Sequence, residues 1–356
     1  MAKVVLKATD LDGFLSEHDK EAIGVMDKKY GEVTASFARY GTAHDNMERG
    51  REEKNLVRLY NEMGKILQDI CKDERYINVY SFKTPHESHA EASRLIAKLR
   101  DIRTDREEFV YYVQRAYELL FNFAWGGSQG AEKNHLIIKT PVTVPVQNYA
   151  VHKIPNIDSQ IENTVMCVLL RGALLPSIIM SKEIEEYSSQ GYITPFALFR
   201  IKRDETKKEN NMEYILDLDR SYIDISHLDG KDLIFADPMN ATGGSLVTVV
   251  QYLMKEGVRP RGVHFFNAIS ALKGALRVVR AIPNCSVWTL WMDPVLNEAA
   301  YILPGLGDAG DRINGKDEAP PGRNILQLIA DYGSNITGLY RSQLREIEDT
   351  VLGRQQ

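Results

Sequence analysis

Residues 233–257 read LIFADPMNATGGSLVTVVQYLMKEG: a compact apolar run, an acid at Asp237, a glycine turn, then an amphipathic stretch from Ser245. Strand, turn and helix in that order build a concave nest. Backbone N–H groups of Thr242, Gly243, Gly244 and Ser245, with the unpaired ones of the helix's first turn, converge on one place and favour a phosphate. Gly243 and Gly244 let the backbone curl without Cβ clashes, and Thr242 and Ser245 add hydroxyls. The turn lacks Gly-Lys-Ser/Thr, so it is not the loop of the nucleotide hydrolases. Asp237 stands where the strand ends, the usual ligand position in open α/β sheets. A carboxylate beside a phosphate nest repels a plain anion; it suits a ligand that also brings hydroxyls or a magnesium ion, as a ribose phosphate does. The plainer alternative is an acidic N-cap on an ordinary strand–turn–helix.

Outward from this stretch, short apolar runs recur at 136–138, 164–170, 195–199, 262–269 and 287–291, with helical patterns at 245–255 and 272–280. Continuous rather than alternating apolar runs predict strands covered on both faces, and their alternation with helices predicts an α/β fold with a largely parallel sheet. The polar stretch 201–229 is long for a connection and is expected to be a hairpin or lid near the site. Its Lys202, Arg203, Lys207 and Lys208 could attract phosphate, although Asp204, Glu205 and Glu209 are interleaved. Upstream, Leu56, Leu59, Tyr60, Met63, Ile66, Leu67 and Ile70 follow helical spacing, so residues 1–75 are expected to be a helical extension. Its apolar stripe should pack on its own chain or a sister subunit. Thr84 and Glu87, then Thr104 and Glu107, form two capping-box patterns. The second opens a core helix with Phe109, Tyr112, Val113, Ala116, Leu120 and Phe123 on one face. A last helix is expected over 324–348, giving divisions at 1–75, 76–322 and 323–356.

The 356 residues are 44% hydrophobic and 26% charged with net charge −5, which excludes wholesale disorder and argues against a cationic nucleic-acid-binding face. Three scattered cysteines cannot form a disulfide framework or a zinc site. No apolar run approaches a membrane span, and the start lacks a secretory core. A cytoplasmic protein without membrane or nucleic-acid partners is expected.

The segment around DPMNATGGS resembles the 5-phosphoribosyl 1-diphosphate (PRPP) loop of type I phosphoribosyltransferases, in the form found in uracil phosphoribosyltransferases. Tyr301 to Arg312, YILPGLGDAGDR, is similar to that family's uracil-binding segment. Leu170-Arg171-Gly172 resembles its Leu-Arg-Ala-Gly and Phe199-Arg200 its Tyr-Arg. The resemblance covers about 84–317 and implies a phosphoribosyltransferase-like sheet with a flexible hairpin and a base-binding hood. It further implies transfer of phosphoribosyl from PRPP to uracil N1, giving UMP and pyrophosphate. Arg171 and Arg200, with Mg2+, would meet the pyrophosphate. Asp237 would hold ribose hydroxyls or magnesium-bound water, Pro238, Met239, Asn240, Ala241, Thr242, Gly243, Gly244 and Ser245 the phosphate, and Asp308 would approach PRPP. The main chain at Ile302, Gly307 and Ala309 would read uracil. Asp237 and Arg200 carry the catalytic expectation.

The sequence departs from the family at Asn240, usually apolar, at Gly172-Ala173, an inverted pair, and at 269–274, which bear on base preference. Transfer to another base, or a non-catalytic PRPP or nucleotide sensor, are the competing readings. A homodimer or larger even assembly is expected, with a nucleotide effector open. Gly305, Gly307 and Gly310 match a dinucleotide fingerprint, but the prolines and glycines that follow argue against the helix it needs. His86 and His89 lack a third metal ligand, Trp288 and Trp291 are expected in the core, and Cys167 is expected to be inert.

Overall fold

The computed structural model describes residues 3–126, 133–144 and 146–315, with isolated positions 327 and 330; the expected helix 324–348 lies almost wholly outside them. The chain opens with β1 (Lys3–Lys7), α1 (Ala8–Asp12), α2 (Glu17–Thr42), α3 (Asn46–Lys72), β2 (Ile77–Val79), α4 (Tyr80–Lys83), α5 (His86–Arg100) and α6 (Arg106–Phe121). It continues through β3 (Lys133–Lys139), β4 (Tyr149–Pro155), α7 (Asp158–Ile161), β5 (Thr164–Leu170), α8 (Leu174–Tyr187), β6 (Phe196–Arg203), β7 (Glu213–Tyr222), β8 (Asp232–Ala236) and β9 (Met239–Asn240). It closes with α9 (Gly244–Lys255), β10 (Gly262–Ala271), α10 (Leu272–Ala281), β11 (Cys285–Asp293), β12 (Val295–Leu296), β13 (Ile302–Leu303) and α11 (Ala309–Asn314).

The central sheet runs β1-β7-β6-β5-β8-β10-β11-β2, with β9 also on β10. From β6 to β2 neighbours are parallel, while β7 and β1 are added antiparallel. The runs read as doubly covered strands behave so: every residue of β5 and β8 is buried, because helices pack on both faces. The run 136–138 does not. It lies in β3, which pairs only with β4, and Ile137 and Ile138 are 68% and 50% exposed; a short apolar run carries no information about which surface covers it.

The face predicted for α6 is the buried one, from Phe109 to Leu120, and Leu59, Met63 and Leu67 of α3 are buried in the chain's own core. The extension is not all helical, since β1 registers Lys3 with Asp217 and Lys7 with Glu213. Neither expected capping box forms, and each N-cap lies one residue later, at Pro85 without a side-chain cap and at Asp105. Asp105, not Thr104, caps α6 by accepting from Glu108 N at 2.9 Å, whereas Thr104 and Thr84 turn back to donate to the Lys98 and Tyr80 carbonyls. A carboxylate at the N-terminus gains from the helix dipole what a hydroxyl does not. Among the described residues no helix is long and apolar enough to cross a membrane. The three cysteines are buried and free, and burial raises their thiols, holding them protonated.

Candidate active site

A cavity of about 560 Å³ opens at the carboxyl ends of the central strands. Asp237 follows β8 directly. Its amide donates to the Phe266 carbonyl at 3.0 Å and its carbonyl accepts from Asn267 Nδ2 at 2.9 Å, which fixes the turn against β10. Its carboxylate accepts from Met239 N at 3.1 Å. Burial, with Asp308's charge adding, pushes the carboxyl up to about 7 against the pull of the Met239 amide. Two carboxylates on one cavity with oxygen-rich neighbours form a donor set that suits a hard divalent cation such as Mg2+, so the residues fit the ion the sequence implied.

The turn at 242–245 is gripped from two sides. Gly243 has φ +74°, and a Cβ there would meet Val278 and the Gly274 carbonyl within 3 Å. A Cβ at Gly244 would fall inside the ring of Tyr214. Thr242 Oγ1 accepts from Gly244 N at 3.3 Å. Val247 N makes the first α9 hydrogen bond, to Gly243 O at 3.0 Å, so the amides of Ser245 and Leu246 precede the intrahelical ladder and are free to face an anion. Asn240 is buried and donates through Nδ2 to Ser270 Oγ at 2.9 Å. Two of the departures from the family pattern, at 240 and within 269–274, are thus one hydrogen-bonded pair.

Across the cavity stands the segment 300–310. Gly305 and Gly307 take φ +64° and +78°, and the Gly305 amide donates to buried Asp293 at 3.0 Å, which Arg100 neutralises. Arg312 anchors the segment's end, lying 4.0 Å over Phe109 and donating to the Leu306 and Asp101 carbonyls at 2.9 and 3.0 Å. A six-residue helix, α11, does follow the glycines, capped by Asp308. It follows the two-residue strand β13 rather than a buried sheet strand, so the dinucleotide fingerprint still lacks its context.

The expected site residues Asp237 through Ser245, Arg171, Ile302, Gly307, Asp308 and Ala309 all line this cavity. Arg171 reaches across to pair with Asp311 and donates to the Gly315 carbonyl at 2.9 Å, while Gly172 meets Gly310 closely enough that a Cβ would sit 3.4 Å from its Cα. Arg200 is not among the described lining residues; its amide donates to Ser221 Oγ at 3.0 Å. Lys202 and Arg203 line the wall instead. Arg203 donates to the Ala300 carbonyl at 3.1 Å and its guanidinium lies 4.5 Å from the Tyr301 ring centroid. Alternation along β6 does not sort these residues, since Lys202, on the wall, has the same parity as Arg200. Tyr214, behind the nest, carried no sequence signal. His89 lies against Trp291, and among the described residues no His, Cys, Asp and Glu cluster could hold a metal on its own.

The uracil phosphoribosyltransferase family model matches residues 86–315. The uracil phosphoribosyltransferase of Thermococcus gammatolerans is 27% identical over 250 residues, 68% of this chain and 96% of that one. Those of Limosilactobacillus fermentum and Agathobacter rectalis are 42% and 46% identical over 85 residues, a match spanning 24% of this chain and 40% of their length. Among solved structures, the AQ2163 protein of Aquifex aeolicus aligns with TM-score 0.47 and 21% identity over 67% of this chain and 98% of that one. Every wall of the cavity, from Arg171 to the segment ending at Gly310, falls within the residues the family model describes, and the chain belongs to the uracil phosphoribosyltransferase family.

Proposed function

We propose that the protein transfers the 5-phosphoribosyl group of PRPP to N1 of uracil, giving UMP and pyrophosphate. The observation that carries this reading is that the nest at 239–245 and the main-chain-rich segment at 302–309, with Asp237 and Asp308, line one cavity. The 5′-phosphate sits on the amides of Ser245 and Leu246. Asp237 accepts from the ribose hydroxyls, and it and Asp308 would hold Mg2+ with the pyrophosphate. When bound, that ion neutralises the departing pyrophosphate. Arg171 and Arg203 face the same charge, so both gain as it develops. The C1–O bond breaks, N1 attacks the cationic ribosyl carbon, and the N1 proton leaves to solvent. No covalent nucleophile is required, because positioning and electrostatics supply the acceleration. Backbone donors and acceptors at Ile302, Gly307 and Ala309 match the alternating edge of uracil.

Assembly belongs to the same reading: Ile137, Val144, Tyr149 and Val151 project exposed from the β3–β4 hairpin, and a homodimer covers them. A cytoplasmic location agrees with the buried free thiols. A magnesium-dependent assay over uracil, cytosine, thymine, hypoxanthine, adenine, orotate and nicotinate, with nucleotide and pyrophosphate both quantified, tests the function. Turnover of uracil alone is expected. Turnover of another base overturns the base assignment, and PRPP binding without turnover replaces the enzyme with a sensor.

A further inference from the structure

Besides the pairing of β1 with β7, the part of the chain before the family match reaches the cavity wall through a buried cation. Arg277, on α10, is completely buried. It donates through Nε and Nη2 to Asp12 at 3.0 and 2.6 Å, and the same Nη2 lies 2.9 Å from Glu209. Lys273 adds a second cation, 3.0 Å from Glu209 and 3.8 Å from Asp12. Asp12 ends α1. Glu209 sits in the turn between β6 and β7, a few residues beyond Arg203 and Glu205 of the cavity wall. The turn is fastened onward as well: Glu209 N donates to the Glu298 carbonyl at 2.7 Å and Lys208 pairs with the Glu298 carboxylate at 2.7 Å. Glu298 lies between β12 and β13, the approach to the base segment. Arg277 and Lys273 thus face Asp12 and Glu209, with Asp27 of α2 within electrostatic reach of Lys273 and Glu209, at a junction of the N-terminal segment, the helix behind the nest and the turn at the cavity mouth. Breaking such a cluster by removing one partner is costly because it leaves a buried charge short of its counter-charge.

We propose that Asp12 is a positioning residue for the cavity: through Arg277 it fixes Glu209, and with it the turn that carries Arg203 and Glu205. The consequence for substrate rests on the phosphoribosyl transfer proposed above; the consequence for the turn does not. In Asp12→Asn the junction loses one anion with no change of shape, the turn loosens, and PRPP must order it on binding.

Hydrogen exchange of the full chain, without substrate, reads the turn directly through the amides of 207–211. Asp12→Asn is expected to speed their exchange about tenfold and leave β8 and β10 unchanged. Glu209→Gln should do the same from the other end, and Asp12→Glu should restore protection. Asp10→Asn is the control, because Asp10 accepts from Lys7 N at 3.2 Å in the same short helix and does not reach Arg277. In turnover, Asp12→Asn should raise KM for PRPP about three- to tenfold with kcat within about twofold. Unchanged exchange at 207–211, equal acceleration in Asp10→Asn, or acceleration spread over the whole sheet would each overturn the proposal. Local acceleration with no base turned over upholds the positioning of the turn and overturns the catalytic reading instead.

Discussion

Alanine at Gly244 puts the grip on the phosphate nest to the test. Its Cβ would fall 2.1 Å from Cζ of Tyr214 and 2.2 and 2.4 Å from the two Cε atoms. Carbon atoms rest about 3.5–4.0 Å apart, so nest and ring must separate by about 1.5 Å. The ring is 1% exposed on β7, between β6 and β1, and cannot yield without disturbing the sheet. At a helix start with ordinary geometry the same substitution stabilises by about 0.4–1 kcal/mol, whereas overpacking costs about 1–3 kcal/mol, so the sign itself is diagnostic. We expect Gly244→Ala to lose about 1–2 kcal/mol in urea unfolding and, because the nest recedes, to lose turnover by about a hundredfold. Tyr214→Ala alone should cost about 3–5 kcal/mol. In the double variant the overlap is gone, and the two changes should fall short of additivity by at least about 1 kcal/mol. Additive losses, or a Gly244→Ala protein more stable than the parent, would refute the packing argument.

Three further outcomes are expected. Arg203→Ala should raise KM for PRPP about tenfold or more, the worth of one charge-assisted hydrogen bond, while Arg200→Ala stays within about threefold; the reverse order would return the pyrophosphate role to Arg200. Because Asp237's carboxyl is raised from 3.8 to about 7 when folded, the protein binds a proton there that the unfolded chain does not. Its share of stability is therefore full at low pH and declines toward pH 7; Asp237→Asn should flatten that decline, and KM for PRPP should rise below pH 7 as the needed carboxylate is protonated. Ile137 and Val151 face each other across the β3–β4 hairpin, and replacing both by Glu should shift light scattering to a 40.3 kDa monomer with unfolding unchanged.

The parts of the fold legible in the sequence were those where one physical demand sets the residues. β5 and β8 announce themselves because covering both faces leaves polar residues only at their first positions, and the nest because only glycine fits at 243 and 244. The cavity segment 302–309 was legible only through its resemblance to the family's segment, since its glycines by themselves matched a dinucleotide fingerprint as well. What escaped depends on partners distant in the chain. β1 alternates too briefly to be told from a helix start until β7 is there to pair with it. The run 136–138 looks like core because exposure is a property of what lies outside the hairpin. Arg200 and Arg203 differ in where along β6 they stand relative to the cavity, a distinction that needs the strand's place in the sheet. Asp12, Arg277 and Glu209 are unremarkable in isolation and meaningful only once three separate elements meet.

Both ends of the central sheet, β1 and β2, come from residues ahead of the family match. During synthesis these segments leave the ribosome long before β7 and β11, the strands they border, exist. β1 can pair only once β7 has been made, and β2 only once β11 has. Until they do, β7 and β11 present bare hydrogen-bonding edges that a neighbouring chain can occupy. Pairing of these N-terminal strands therefore covers the edges of β7 and β11, which would otherwise be open to a neighbouring chain.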